Sequence, residues 1–184
     1  MRVVPRLDGR AYQSRFDELA ATGMDVHGEA SLVRSFGPQT VLDAGCGTGR
    51  VAIELARHGI GTLGVDVDDS MISEARRLAP ELAWATADLA TLSLGRQFDV
   101  VVLAGNVPLF CAVAMRAALA ASCAAHVRAG GRLIAGFELN RGYEIAEFDT
   151  ACREAGLGLE DRWCSWDRAP FTDESAYSVS VHAR

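Results

Sequence analysis

The stretch Val41-Leu42-Asp43-Ala44-Gly45-Cys46-Gly47-Thr48-Gly49-Arg50 constrains this chain more than any other. A short apolar run ends in three glycines at alternate positions and passes directly into residues with helical spacing. Glycine lets the backbone turn sharply and approach a bound molecule where a Cβ would stand in the way. The helix after the turn aims its unpaired N–H groups at whatever occupies the turn. A strand, a turn and a helix start in that order make a site for a nucleotide-type ligand.

The glycine spacing separates two kinds of ligand. A dinucleotide fingerprint needs G-x-G-x-x-G/A, whose last small residue lets helix and strand pack closely. Arg50 occupies that place here. What is present is G-x-G-x-G, with Asp43 two residues before the first glycine. At this motif the sequence resembles the class I S-adenosylmethionine-dependent methyltransferases, whose first motif has this form. The resemblance extends from about residue 40 to the end of the chain.

Ahead of that motif, Tyr12, Phe16 and Leu19 stand at i, i+4 and i+7 of an amphipathic helix over 11–21. A second short helix is expected at about 28–36. In the resembled family such segments form a lid over the cofactor; simple cover of the sheet is the alternative. The expected division is therefore a helical cover or lid at 1–37 and a core at 38–184, within one domain. After the turn, Val51, Ala52, Leu55 and Ala56 make a helical stripe that His58-Gly59 ends.

Further strands are expected at 62–66, 82–88, 98–103 and 132–138, the last entered through a turn at Gly130-Gly131. A helix capped by Asp69-Ser70 should run to about Leu78, with Met71, Ala75 and Leu78 inward. An Ala-rich helix is expected over 109–128 and another over 144–155. Residues 157–165 and 175–182 read as a closing pair of strands. Strands alternating with helices imply an α/β fold, a parallel sheet covered on both faces. The resemblance implies a Rossmann-like, doubly wound, mostly parallel seven-stranded sheet whose last strand is antiparallel.

With 184 residues and a formal net charge of −6, a phosphate backbone is a poor main partner, and the basic residues form no stripe. The five cysteines show no C-x-x-C pair and no metal-ligand spacing, as expected of reduced thiols in a cytoplasmic protein. The opening residues Met1 to Asp8 lack the apolar core of a signal peptide. Val100 to Met115 is interrupted by Gly105, Asn106 and Pro108, short of the roughly 20 apolar residues that span a bilayer. No nucleic acid, membrane or metal partner is expected.

Open α/β sheets bind ligands beyond the carboxyl ends of their strands. Four such ends matter: Asp43-Ala44-Gly45, Asp66-Val67, Asp88-Leu89 and Ala104-Gly105-Asn106. Asp66 follows Gly49 by 17 residues, and its carboxylate can accept from two vicinal ribose hydroxyls. NAD enzymes use a similar acid. The resemblance gives Asp66 the ribose, and Asp88-Leu89 the adenine amine and ring; capping a helix is the other role open to Asp88. It sets Met71 against the adenine, unless Met71 is core.

Gly45-Cys46-Gly47 should lie under the methionine part of S-adenosylmethionine. Asp43 would hold its ammonium or the turn itself, and Cys46 reads as a small residue in a tight turn. Val107 and Leu109 stand where nucleic-acid amino-methylating members carry proline and an aromatic. That departure points away from nucleobase acceptors and leaves Asn106 either lining the transfer site or serving its loop.

Methyl transfer needs a general base only when the acceptor arrives protonated. The catalytic residues are unassigned; the candidates are Asn106, His27, Glu138 and Tyr143, with Glu29 beside them. His58 and His126 read as helix-end caps. Asn140-Arg141-Gly142-Tyr143 with Trp163, Trp166 and Phe171 would line an acceptor site or else cover the sheet edge. The function the resemblance implies is methyl transfer from S-adenosylmethionine to a small molecule. The alternatives are a cofactor-binding module without transfer, an NAD-linked oxidoreductase and a macromolecular methyltransferase. Arg50 and the absence of a Tyr-x-x-x-Lys pair, in a chain without lysine, argue against the oxidoreductase.

Overall fold

The computed structural model describes residues 8–23 and 26–184. The expectation about a signal peptide in the opening residues rests almost wholly on residues outside these. Two helices lead, α1 (Gly9–Ala21) and α2 (Gly28–Ser35), followed by β1 (Thr40–Ala44) and α3 (Arg50–Arg57). Then come β2 (Gly61–Asp66), α4 (Asp69–Leu78), β3 (Ala83–Thr86) and β4 (Phe98–Leu103). The chain closes with α5 (Val107–Phe110), α6 (Arg116–Ala125), β5 (Val127–Glu138), α7 (Ile145–Glu154), β6 (Gly158–Trp163) and β7 (Tyr177–Ala183).

These strands form one seven-stranded sheet in the order β3-β2-β1-β4-β5-β7-β6. The first five run parallel, and β7 lies antiparallel between β5 and β6. Strand residues alternate between faces. Leu42, Val101, Leu103, Leu133 and Phe137 pack with α6 and α7, while Val41, Val100, Val102 and Ile134 pack with α2 and α3. Both faces are covered, which is why β4 carries an unbroken apolar run from Val100 to Leu103. The Rossmann-like expectation holds. Among the described residues no helix is long and apolar enough to cross a membrane.

Several boundaries differ from the sequence reading, each for a local reason. The expected helix at 109–128 is broken. Cys111 and Ala112 are extended, with ψ 137° and 140°, so α5 stops early and α6 starts at Arg116. Gly130-Gly131 lies inside β5 rather than before it. The register shifts between Phe98 and Val100, and a Cβ on Gly131 would stand 2.7 Å from the Asp99 carbonyl, so the glycines accommodate a bulge. Asp68, not Asp69, caps α4 by accepting from the Ser70 N–H at 2.8 Å. Ile72, Glu74 and Ala75 are the buried residues of that helix, whereas Leu78 is exposed.

Trp84 shows what holds the glycine turn to the sheet. Its indole N–H donates to the Ala79 carbonyl at 2.8 Å, and its ring fills the space left by two glycines. A Cβ on Gly49 or Gly64 would stand 2.3 Å from that ring. The tryptophan therefore wedges the turn, β2 and α4 together.

Candidate active site

The three turn glycines all have positive φ, 81°, 54° and 86° at Gly45, Gly47 and Gly49, where an L side chain would be strained. Beneath the turn, the buried Asp43 carboxylate accepts from the Ala52 N–H at 3.0 Å and so ties β1 to the start of α3. Burial raises its pKa to about 7, against the pull of that N–H and of the Arg50 guanidinium. Asp43 and Cys46 line a recess of about 30 Å³ behind the turn. The Cys46 thiol is pushed well up by burial, which leaves it inert.

In front of the turn lies a cleft of about 450 Å³. Its floor is Gly45, Gly47, Asp66, Val67, Asp68 and Met71, and Asp88 and Leu89 close one end. The Asp66 carboxylate accepts from the Gly47 N–H at 2.8 Å and the Asp68 N–H at 3.0 Å. Each oxygen keeps a lone pair for a ligand hydroxyl. Asp88 caps the 3₁₀ turn Leu89–Thr91, one oxygen accepting from the Ala90 N–H at 2.9 Å while the other is left for a donor. Both roles read from the sequence for Asp88 are thus compatible. Among the expected cofactor residues, Asn106 alone lines neither the cleft nor the recess.

Asn106 serves its loop. Held at φ 68°, its side-chain oxygen accepts from the Glu138 N–H at 2.7 Å and stitches the end of β4 to β5. The other base candidates also have structural partners. Glu138 pairs with Arg141, and Glu29 binds Arg50 through two contacts of 2.5 and 2.8 Å. Tyr143 is buried, stacked 5.7 Å from Phe137 and edge-on to Phe148, and burial pushes its hydroxyl up to about 12. His27 stands at the start of α2, 3.9 Å from the Glu54 carboxylate, and does not line the cleft.

Both helix-end histidines stand at the C-caps of their helices. His58 meets Glu54 at 3.1 Å. The buried His126 is less a charged cap than a bridge: Nδ1 meets the Ser122 carbonyl at 2.7 Å while Nε2 accepts from the Leu94 N–H at 3.0 Å. The closing-strand aromatics cover the sheet at β5, β7 and β6 and do not line the cleft. Trp166 packs on Gly136 and reaches the Tyr177 hydroxyl at 3.3 Å, and Trp163 and Phe171 lie under Arg168 and Arg162. The apolar wall of the cleft is built instead from α5, α6 and the segment between them: Val107, Phe110, Cys111, Ala112, Met115 and Leu119.

Two site residues escaped the sequence reading. Tyr12 of α1 lines both cleft and recess and stands over Gly47. Arg50, noted only for spoiling a dinucleotide pattern, clamps the N-terminal helices to the turn. Besides Glu29, it donates to the Val26 carbonyl and lies 4.8 Å over the Phe16 ring. The signal lay in the amphipathic stripe of α1, whose Tyr12 and Phe16 face the turn rather than the sheet.

A family model described as a methyltransferase domain matches residues 41–131. The crystal structure of a TehB-like SAM-dependent methyltransferase from Corynebacterium glutamicum superposes with a TM-score of 0.90 at 36% identity, covering 96% of this chain and 97% of that one. The magnesium-protoporphyrin O-methyltransferase of Rhodobacter capsulatus is 46% identical over 67 residues, 34% of this chain and 30% of its own length. The dTDP-3-amino-3,4,6-trideoxy-alpha-D-glucopyranose N,N-dimethyltransferase of Streptomyces venezuelae is 30% identical over 126 residues, 67% of this chain. The chain spans about half the length of that relative and less of the other. With a near-complete match to a solved member, a seven-stranded sheet ending in an antiparallel strand and a glycine turn fed by β1, the chain belongs to the class I S-adenosylmethionine-dependent methyltransferases.

Proposed function

We infer that this chain transfers a methyl group from S-adenosylmethionine to a small-molecule acceptor. The observation that carries the reading is the division of one cleft into a floor of glycines and carboxylates and a wall of apolar residues on α5 and α6. A volume of about 450 Å³ lies in the range of small-ligand sites. Asp66 would take the ribose hydroxyls, Asp88 and Leu89 the adenine amine and ring, and Met71 the ring face. Gly45 and Gly47 would bring the backbone against the methionine part, with Gly105 at the far rim and Asp43 and Cys46 supporting from behind.

When bound, S-adenosylmethionine supplies a methyl on a cationic sulfur that departs as a neutral thioether. The chain's part is to hold donor and acceptor aligned and to exclude water. Asp66, Asp68 and Asp88 place negative charge in the cleft, which suits a cationic ligand. The cover of α1 and α2, latched by Arg50, puts Tyr12 over the turn and supports the lid reading. The net charge of −6 favours a small acceptor over nucleic acid, and five unpaired cysteines suit a reducing compartment such as the cytoplasm.

Calorimetric titration with S-adenosylmethionine, S-adenosylhomocysteine and NAD, followed by a panel of small acceptors, tests the function. Micromolar affinity for the first two and turnover of a small acceptor are the expected results. Tight cofactor binding with no methylation across the panel would instead favour a binding module.

A further inference from the structure

Given the methyl-transfer reading above, the position of the cleft's outer wall decides how tightly the cofactor is held. That wall is a strap, residues 107–115, made of α5 and the irregular segment before α6. It runs the length of the cleft. Val107 stands against the glycine turn, so close that a Cβ on Gly45 would lie 2.5 Å from a Val107 methyl. Further along, burial raises the pKa of the Cys111 thiol and the nearby Asp88 carboxylate adds to the rise, which puts this part of the strap at the other end of the cleft. Val107, Phe110, Cys111, Ala112 and Met115 all line the cleft.

The strap is held mainly at its ends. Cys111 and Ala112 interrupt the helices, and the strap's backbone hydrogen bonds are local: Leu109 N–H donates to the Asn106 carbonyl at 2.9 Å and Met115 N–H to the Ala112 carbonyl at 2.8 Å. Leu109 and Cys111 pack inward, whereas Phe110 and Val113 are 78% and 73% exposed. Just before the strap, the Asn106 N–H donates to the Gly136 carbonyl at 3.3 Å and its Oδ1 accepts from the Glu138 N–H at 2.7 Å. Just after it, Arg116 Nη1 donates to the Gly142 carbonyl at 2.6 Å, and the guanidinium lies 4.2 Å over the Tyr143 ring. Both pins land on residues 136–143, where Tyr143 is itself fixed against Phe137 and Phe148.

Arg116 is placed against local preference. It is a cation in the first turn of α6, where the helix dipole disfavours positive charge. Its side chain is only 11% exposed, and its buried Nε has no partner, which costs free energy. Where local rules fail together, a residue serves something beyond its own element. Here that is the strap, whose last residue, Met115, immediately precedes it.

We propose that Asn106 and Arg116 are positioning residues for the cofactor. Neither lines the cleft, yet together they pin both ends of the strap to the end of β5 and its connection to α7, and so hold the wall along bound S-adenosylmethionine. With one end freed, the wall is in place only part of the time, and the apparent affinity falls by that fraction.

Asn106→Gly keeps the left-handed backbone at φ 68° and removes the side-chain acceptor. Arg116→Met keeps an apolar stem on Tyr143 and removes the donor. Each should raise the Kd for S-adenosylhomocysteine about tenfold by calorimetry. Each should also speed amide exchange across 107–115 while β1 and β4 keep their protection, and saturating S-adenosylhomocysteine should restore slow exchange in the strap. Arg116→Lys, which keeps a donor for the Gly142 carbonyl, should lose less affinity than Arg116→Met. Arg132→Met breaks the Arg132–Glu160 pair between β5 and β6, outside the cleft lining, and should leave the Kd unchanged. An unchanged Kd in either pin variant, exchange that quickens evenly through the strands, or a Kd raised as much by Arg132→Met would each overturn the positioning role. Lysine no better than methionine would remove the Gly142 hydrogen bond from it. A wild-type protein that does not bind S-adenosylhomocysteine would take down the methyl-transfer reading itself, whereas normal wild-type binding with unmoved variants would sink only the pins.

Discussion

Asp66 and Asp43 show how two acids that meet one turn from different strands come to do opposite things. Asp66 faces the cleft and holds Gly47 and Asp68 by their N–H groups, with lone pairs to spare for a ligand. A hydrogen bond to a charged group contributes roughly 1.5–3 kcal/mol. Asp66→Ala should therefore weaken S-adenosylhomocysteine binding at least about tenfold by calorimetry, with the far-UV circular dichroism unchanged. An unchanged affinity would remove Asp66 from the ribose role. Asp43 faces inward, and its folded pKa of about 7 lies above the ordinary value near 4. Between those pH values the folded state holds the proton that the unfolded state has released, so this group lowers stability as pH rises through the window. Asp43→Asn keeps an acceptor for the Ala52 N–H and does not titrate. The melting-temperature difference, Asp43→Asn minus wild type, should grow from pH 5 to pH 8. A difference flat across that range would mean the carboxyl is already ionised at pH 5 in the folded protein.

Between elements, the site depends on two contacts that join pieces far apart in sequence. Trp84 of β3 fills the space beside Gly49 and Gly64, and a methyl at Gly64 would meet both the ring and the Cys46 sulfur, the latter at 3.0 Å. Gly64→Ala should cost about 1–3 kcal/mol, the usual range for overpacking a filled core, read by chemical denaturation. The second contact is Arg50 with Glu29, each side chain about 15% exposed. Removing one member of a buried pair strands the other, which costs about 3 kcal/mol at this partial burial. Glu29→Ala should speed amide exchange in α1 and α2 while β1 and β4 keep their protection. Uniform acceleration would show that the latch supports the whole fold rather than the cover. These contacts also explain what the sequence left hidden. The sheet was legible because strand runs such as Phe98–Leu103 and helix stripes such as Val51–Leu55 are local patterns. Asp66 and Asp88 could be placed at the cleft because one ends β2 and the other follows β3 by two residues. Tyr12, Arg50 and the α5 wall could not, because their roles come from long-range packing. For Trp166 and Tyr143 the sequence left two roles open because an aromatic cluster that covers a sheet or fills a core has the same composition as one that lines a site.

Across the whole molecule, the cleft is lined by parts far apart in sequence: Tyr12 of α1, the turn after β1, the ends of β2 and β3, and the α5 wall. A ligand that touches all of them adds its binding free energy to the global stability, provided the unfolded chain does not bind it. At a ligand concentration of a hundred times Kd that addition is about 2.7 kcal/mol. For a domain of this size each kcal/mol moves the midpoint by about 2–4 °C. Saturating S-adenosylhomocysteine should therefore raise Tm by about 5–10 °C in differential scanning fluorimetry or calorimetry, and NAD should leave it unchanged. The same shift measured on Glu29→Ala distinguishes a cover that contacts the cofactor from one that only shields the sheet. With the latch broken, a lid that touches the ligand gives a weaker affinity and a smaller rise at the same concentration. A cover that never touches the ligand leaves the rise intact and lowers only the starting Tm. Equal rises in the two proteins would assign α1 and α2 to the sheet, and Tyr12 would lose its role as a contact of the ligand.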